Sequence, residues 1–175
     1  QREEEEEEEE AWPVVTIELD AQHTHEIEPK YETYARINFP GVVIRGTEPG
    51  TVLCGGGIRV TGSAAARHGE RHGVHVVNLR VTDPARSGTW NKNDAHGLLV
   101  DKGASCRAMH CTFEACGGSG VCVRGAGSFA TMVNVVSAGN SRAGFYAADG
   151  GAIDMSEGCR AHHNAHGLEV RGSNS

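Results

Sequence analysis

A segment from His96 to Gly172 repeats itself with a period of 23 or 24 residues, and this repeat limits the fold more than any other feature. Each unit begins with a glycine followed by an apolar–x–apolar pattern, which is typical of a short strand with one buried face. The marker glycines are Gly97, Gly120, Gly144 and Gly167. A fixed period of this length with strands in every unit indicates a solenoid. The sequence therefore predicts an all-β chain of stacked coils.

The repeat divides the chain into three parts. Residues 1–11 are an acidic, low-complexity tail, residues 12–56 contain irregular first strands of the solenoid, and residues 57–175 contain its coils. The first coil is longer than the others, which predicts insertions at 62–72 and 82–95; such lengthened loops are often binding sites. The last coil stops early and leaves unpaired strand edges, so we expect the solenoid to be truncated at its C-terminal end.

Charge and hydropathy exclude two classes of partner. The formal charge of −7 comes largely from Glu3–Glu10, because 15 acidic residues balance 15 Lys and Arg from residue 11 onwards. No basic stripe of the kind that binds nucleic acid is present. No run approaches the ~20 apolar residues that a membrane-spanning helix needs. The compartment stays open, although the cysteine pattern favours a reducing, intracellular one.

The cysteine and histidine patterns favour structural roles. Cys106, Cys111 and Cys116 have C-x4-C-x4-C spacing, which is not that of a zinc site, and Cys106 and Cys111 fall at apolar positions of the repeat. We therefore expect small buried thiols and no metal. His96 precedes a marker glycine, which predicts packing at a turn. Asn140 occupies a repeated turn position, where an asparagine can bond to the neighbouring coils.

The chain resembles a known superfamily in the order of its segments. LDAQHTHEIE, INFPGVVIRG and TVLCGGG, followed by glycine-marked coils, resemble the N-terminal half of right-handed parallel β-helix proteins of the pectate lyase-like superfamily. The resemblance extends from about Val14 to the C-terminus, and it implies a right-handed winding. The superfamily contains polysaccharide lyases, glycoside hydrolases, phage tailspikes and non-catalytic interaction proteins, including some F-box proteins. The resemblance therefore specifies architecture and leaves activity open.

Strand alternation predicts the residues of an outer face. If the apolar residues after each marker glycine point inwards, the intervening residues point outwards. Asp101 and Arg124 should then be neighbours, because stacked coils lie about 4.8 Å apart. Trp90 is expected at the edge of this face, where an exposed indole could stack on a sugar ring or merely seal its own insertion. The residues predicted to bind a ligand are Arg59, Trp90, Asp94, Asp101, Arg124 and Tyr146, with His68, Glu70 and His72 of the first insertion nearby.

The catalytic motifs that the resemblance implies are incomplete. Asn93-Asp94 before His96-Gly97 is similar to the first hydrolase motif, but Ser119-Gly120 stands where a second pair of acids should fall. Glycoside hydrolysis usually needs two carboxylates. The lyase branch implies an acidic cluster for Ca²⁺ together with an arginine base, whereas Asp101 stands alone in its column. The candidate catalytic residues under an enzyme hypothesis are Asp94, Asp101 and Arg124.

Three functions are compatible with these patterns. The first is a non-catalytic binding or scaffold module that recognises a carbohydrate or a protein partner on the outer face and needs no cofactor. The second is a polysaccharide lyase or glycoside hydrolase, with Ca²⁺ only in the lyase case. The third is a purely structural repeat. A protein-binding scaffold predicts exposed apolar residues on the flat flanks of the solenoid, whereas an enzyme predicts clustered acids on the outer face.

Overall fold

The computed structural model describes residues 15–27, 34–62, 73–82 and 95–172. The predicted tail and almost all of the two predicted insertions lie outside these ranges. The regular elements of the described residues are 18 strands, so none of these residues forms a helix able to cross a membrane. In chain order they are β1 Val15–Leu19, β2 His25–Glu26, β3 Tyr34–Ile37, β4 Val42–Gly46, β5 Thr51–Cys54, β6 Gly57–Thr61, β7 Val74–Val77, β8 Leu79–Thr82, β9 Leu98–Asp101, β10 Ser105–Met109, β11 Thr112–Glu114, β12 Val121–Arg124, β13 Phe129–Val133, β14 Val136–Ala138, β15 Ala143–Ala148, β16 Ala152–Met155, β17 Arg160–His162 and β18 His166–Arg171.

The strands form three parallel, six-stranded sheets. The first sheet contains β1, β4, β7, β10, β13 and β16; the second contains β2, β5, β8, β11, β14 and β17; the third contains β3, β6, β9, β12, β15 and β18. Each strand from β1 to β15 pairs with the strand three places further along the chain, so three successive strands make one coil. The chain is therefore a parallel β-solenoid of about five turns, as the repeat predicted. The strands before Gly57 already belong to the same three sheets.

The core is a narrow column of inward-pointing apolar side chains. The predicted inward positions of the third sheet are confirmed, because Val121 and Val123 are fully buried and belong to the central cluster. Cys106 and Cys111 lie in the same cluster, as their place in the repeat predicted. Burial raises the pKa of both thiols, that of Cys111 to about 11, so they remain protonated small apolar groups.

The corners are tight because single residues adopt left-handed backbone conformations. Asn78, His110, Asn134 and Gly158 occupy one corner, between the first and second sheets, with φ of 60°, 53°, 52° and 80°. Asparagine is one of the side chains that tolerate this region best. At Asn78 this single residue connects the two strands, because β7 ends at Val77 and β8 begins at Leu79.

An asparagine ladder fixes the opposite corner, as predicted. The Oδ1 of Asn140 accepts from the main-chain N–H of Cys116 at 3.0 Å, and the Oδ1 of Asn164 accepts from that of Asn140 at 2.9 Å. The amide of Asn140 also donates to the hydroxyl of Ser137 at 3.0 Å. A Cβ on the marker residue Gly120 would lie 2.7 Å from the amide nitrogen of Asn140 and would collide with the Ser137 hydroxyl. The marker glycines therefore leave room for the ladder.

The last described coil has its inward side uncovered. Leu168 and Val170 continue the core columns of Phe145 and Ala147, yet they are 53% and 71% exposed. No described residue follows them along the solenoid axis, which explains their exposure.

Candidate functional site

The predicted face is the outer surface of the third sheet. The structure describes Arg59, Asp101, Arg124 and Tyr146, which all lie there, on four successive strands of the sheet. Trp90 and Asp94, with the neighbouring insertion residues His68, Glu70 and His72, lie outside the described residues. The predicted roles of those residues in sugar stacking and catalysis remain predictions.

Asp101 lies between two arginines on adjacent coils. Its carboxylate accepts two hydrogen bonds from Arg59, from Nη2 at 2.6 Å and from Nε at 3.3 Å. Nη2 of Arg124, directly opposite in the register as predicted, is 3.9 Å away. The side chain of Asp101 is only 7% exposed, whereas that of Arg124 is 39% exposed. The charge of Asp101 is therefore compensated inside the protein, whereas the side chain of Arg124 reaches the surface.

The middle of this face is apolar, where a polar groove was expected. Leu99 and Cys122 point outwards, but they are 2% and 0% exposed and form a small cluster with Tyr34. Tyr34 occupies the place that the marker glycines hold on later coils. Its hydroxyl accepts a hydrogen bond from the main-chain N–H of His96 at 2.9 Å, across two coils. The accessible polar surface of the sheet is thus shifted towards its later coils.

Those later coils place arginines around a tyrosine. The guanidinium carbons of Arg142 and Arg171 lie 5.5 Å and 6.0 Å from the ring centroid of Tyr146, within the range of cation–π contact. Glu169 accepts from Nε of Arg171 at 2.6 Å. Tyr146 itself packs against the Leu99–Cys122 cluster, which holds the ring in place.

The histidine and serine that border two marker glycines are internal. His96 is 1% exposed, and its Nδ1 accepts from the main-chain N–H of Ser119 at 2.9 Å. An accepting Nδ1 places the ring proton of the neutral imidazole on Nε2. Ser119 is also 1% exposed, although its position is where a hydrolase of this fold would carry acids. The His96 side chain therefore stabilises a turn, as predicted, and both side chains are buried below the surface.

The described residues offer no arrangement suited to a metal. No three His, Cys, Asp or Glu side chains among them come together in a geometry that could hold an ion. All six cysteines are described, and all are free thiols.

A site that the sequence argument missed lies on the outer face of the first sheet. A shallow depression, open to solvent, is found there. The side chains around it come from the alternating outward positions of β7, β10 and β13. The same period-2 argument would have identified them, had it been applied to the second strand of each unit. They are His75, Ser105, Arg107, Phe129 and Thr131.

Comparison with protein-family models, with curated proteins and with solved structures found no match. The fold is therefore established by the structure of this chain itself, and its function must be inferred from its own surfaces.

Proposed function

We propose that this chain is a non-catalytic binding module, a right-handed parallel β-helix that recognises an acidic, linear carbohydrate on the outer face of its third sheet. The observation that carries the proposal is the arginine pattern of this face. Its described part holds five arginines against two carboxylates: Arg36, Arg59, Arg124, Arg142 and Arg171 against Asp101 and Glu169. An excess of guanidinium groups favours an anionic ligand, because the planar fork matches carboxylate and sulfate oxygens in pairs.

The regular spacing of the coils favours a polymer with regularly spaced charges. Arg124 and Arg171 occupy one column, separated by Ala148 on the coil between them. Two coils correspond to about 10 Å along the solenoid axis. A linear glycan with an acidic group at regular intervals matches such a column, and the apolar face of a sugar ring can contact the aromatic edge of Tyr146.

The two carboxylates described on this face do not form a catalytic pair with each other; the pair named by the enzyme hypothesis, Asp94 and Asp101, remains a prediction because Asp94 lies outside the described residues. Asp101 is compensated by Arg59, and Glu169 is paired with Arg171. These two carboxylates are three coils apart, or about 14 Å, which exceeds the ~6.5–9.5 Å of an inverting hydrolase. Asp101 is therefore poorly suited to donate or accept a proton in a reaction.

The right-handed winding is supported by a general rule. Parallel strands that follow one another through a crossover connection are right-handed in about 98% of cases, because the strand twist favours that hand. The sequence resemblance to the pectate lyase-like superfamily implies the same hand.

The test is binding of the purified chain to an array of acidic and neutral linear glycans. We expect saturable binding to acidic glycans, weakened about tenfold or more by Arg124→Gln with Arg171→Gln. Arg160→Gln, which removes an exposed arginine on the second sheet, is the matched control. Trp90→Ala, run in parallel, tests the predicted stacking residue.

Three outcomes would overturn the proposal. One is the absence of glycan binding, and another is equal binding to neutral and acidic glycans. The third is cleavage of the bound glycan on prolonged incubation, seen as shorter products by chromatography, which would restore the enzyme hypothesis.

A further inference from the structure

The pocket on the first sheet is a depression beside Gly73, which has no side chain. Gly73 lies in the outward column that Ser105 and Phe129 continue on the next two coils. A Cβ on Gly73 would lie only 3.0 Å from the Ser105 hydroxyl, so the glycine allows that hydroxyl to pack against the backbone at the edge of the depression. The adjacent outward column contains His75, Arg107 and Thr131 in direct register. The depression is therefore bordered by an aromatic ring, an imidazole, two hydroxyls and a guanidinium.

Arg107 supplies the charge of this pocket. Several arginines of the solenoid surface have a carboxylate partner, as Arg45 has in Glu18 and Arg80 in Glu114. Arg107 is exposed, and within the described ranges it forms neither an ion pair nor a hydrogen bond. The acid that continues its column is Asp154, two coils away across Thr131, or about 10 Å. The pocket thus presents a guanidinium fork that can accept an anionic group.

A row of half-buried apolar side chains runs beside the pocket. Val77, Met109 and Val133 are aligned in register on three adjacent coils, two residues further along the strands than His75, Arg107 and Thr131. The protein-scaffold hypothesis predicted exposed apolar residues on a flat flank, whereas this row is half-buried. Met, aromatic residues and Arg are also the types enriched in protein interfaces.

We propose that this face binds an extended segment of a partner protein in which an acidic residue is followed, two positions later, by an aliphatic one. In an extended segment, residues i and i+2 lie on one side and about 6.8 Å apart. The same distance separates Arg107 from Met109 on β10. The acidic side chain of the partner contacts Arg107 in the pocket, and its aliphatic side chain lies on the row of Val77, Met109 and Val133. This site is on a different sheet from the proposed glycan face and does not depend on it.

The probe is a set of four fluorescent nine-residue peptides in a Ser/Thr background. The parent carries Glu at position 4 and Leu at position 6; the others carry Gln for Glu, Ser for Leu, or Leu moved to position 5. Fluorescence anisotropy with the full chain measures the dissociation constant of each. We expect the parent to bind and each change to weaken binding about tenfold. This is the effect expected from losing a charge-assisted hydrogen bond or one buried aliphatic side chain.

The decisive variant is Arg107→Gln. It should remove the preference for the Glu peptide over the Gln peptide while keeping the preference for Leu over Ser. Arg107 is exposed and outside the core, so the variant should melt like the wild type. Arg160→Gln removes an equally exposed charge from another sheet and should change neither preference. Both variants should bind acidic glycans as the wild type does, which separates this site from the third-sheet site.

The proposal would be overturned by failure of the parent peptide to bind. It would equally be overturned if Arg107→Gln kept the preference for the Glu peptide. The same holds if Arg160→Gln weakened binding of the parent peptide as much as Arg107→Gln does, since binding would then reflect net charge alone. If the peptide with Leu at position 5 bound as tightly as the parent, the proposed extended geometry of the partner segment would be wrong.

Discussion

Asp101→Asn should destabilise the solenoid far more than an ordinary surface substitution. The side chain keeps its size, but the amide cannot replace the carboxylate that accepts two hydrogen bonds from Arg59 and faces Arg124. The side chain of Arg59 is only 21% exposed, so its guanidinium stays poorly hydrated after its partner is removed. The expected loss therefore comes mainly from an uncompensated, largely buried charge.

The magnitude follows from the burial of this pair. Exposed ion pairs contribute about 0–1 kcal/mol, whereas removing one partner of a fully buried pair costs about 3–5 kcal/mol. Asp101 and Arg59, at 7% and 21% side-chain exposure, lie nearer the buried limit, and we expect a loss of about 2–3 kcal/mol. Urea unfolding with an m-value near 2 kcal/mol/M would then show the midpoint lowered by about 1–1.5 M.

Glu18→Gln is the matched control for this measurement. Glu18 pairs with Arg45 on the first sheet, where the side chains are 55% and 48% exposed, so its loss should cost less than about 1 kcal/mol. The reasoning is refuted if Asp101→Asn shifts the midpoint no more than Glu18→Gln does. A second check replaces both charges: Arg59→Met with Asp101→Leu should recover most of the lost stability, because no buried charge remains.

Three further predictions concern the core and the corners. Asn140→Ala should cost about 3 kcal/mol in urea unfolding, because it leaves the buried Cys116 N–H without a partner and removes the hydrogen bond that the Ser137 hydroxyl accepts; a loss below 1 kcal/mol would contradict the ladder. Val123→Asp should abolish the cooperative melting transition, since the residue is fully buried; an unchanged melting curve would refute its inward position. The pKa of Cys111 is raised from 9.0 to about 11 by burial, so the unfolded chain loses the thiol proton first and stability should fall between about pH 9 and 11. Cys111→Ala should reduce that fall, and an identical pH profile would show that other groups cause it.

The sequence was sufficient for the parts of the fold that repeat. Period-2 alternation after each marker glycine identified Val121 and Val123 as core residues, because each side chain of a solenoid strand points either into the core or outwards. The turn asparagines were identified for a similar reason, since a repeated position bonds to its own equivalent on the next coil. The register also predicted that Arg124 would lie beside Asp101, as it does.

The contacts that do not repeat could not be predicted in this way. Tyr34 replaces a marker glycine on one coil alone, and its ring covers a region where the alternation had suggested a polar groove. The main partner of Asp101 is Arg59, which comes from the preceding coil and is offset by two residues along the strand. Such diagonal contacts depend on side-chain length and direction, which the register alone does not specify.

The position of Asp101 explains the presence of this carboxylate by a structural role, without a catalytic one. Arg59 and Arg124 belong to coils on either side of Asp101, and their guanidinium groups, which both lie within 3.9 Å of its Oδ2, repel each other on a partly buried face. A carboxylate on the coil between them removes that repulsion, and because it is used in this way it is not available to a ligand. The repulsion between the arginines is thus offset by a carboxylate inside the fold. The outer surface around Arg124, Arg142 and Arg171 keeps a net positive charge. An acid at this position therefore supports an anion-binding surface, and it would be a poor choice for a surface that has to protonate a leaving group.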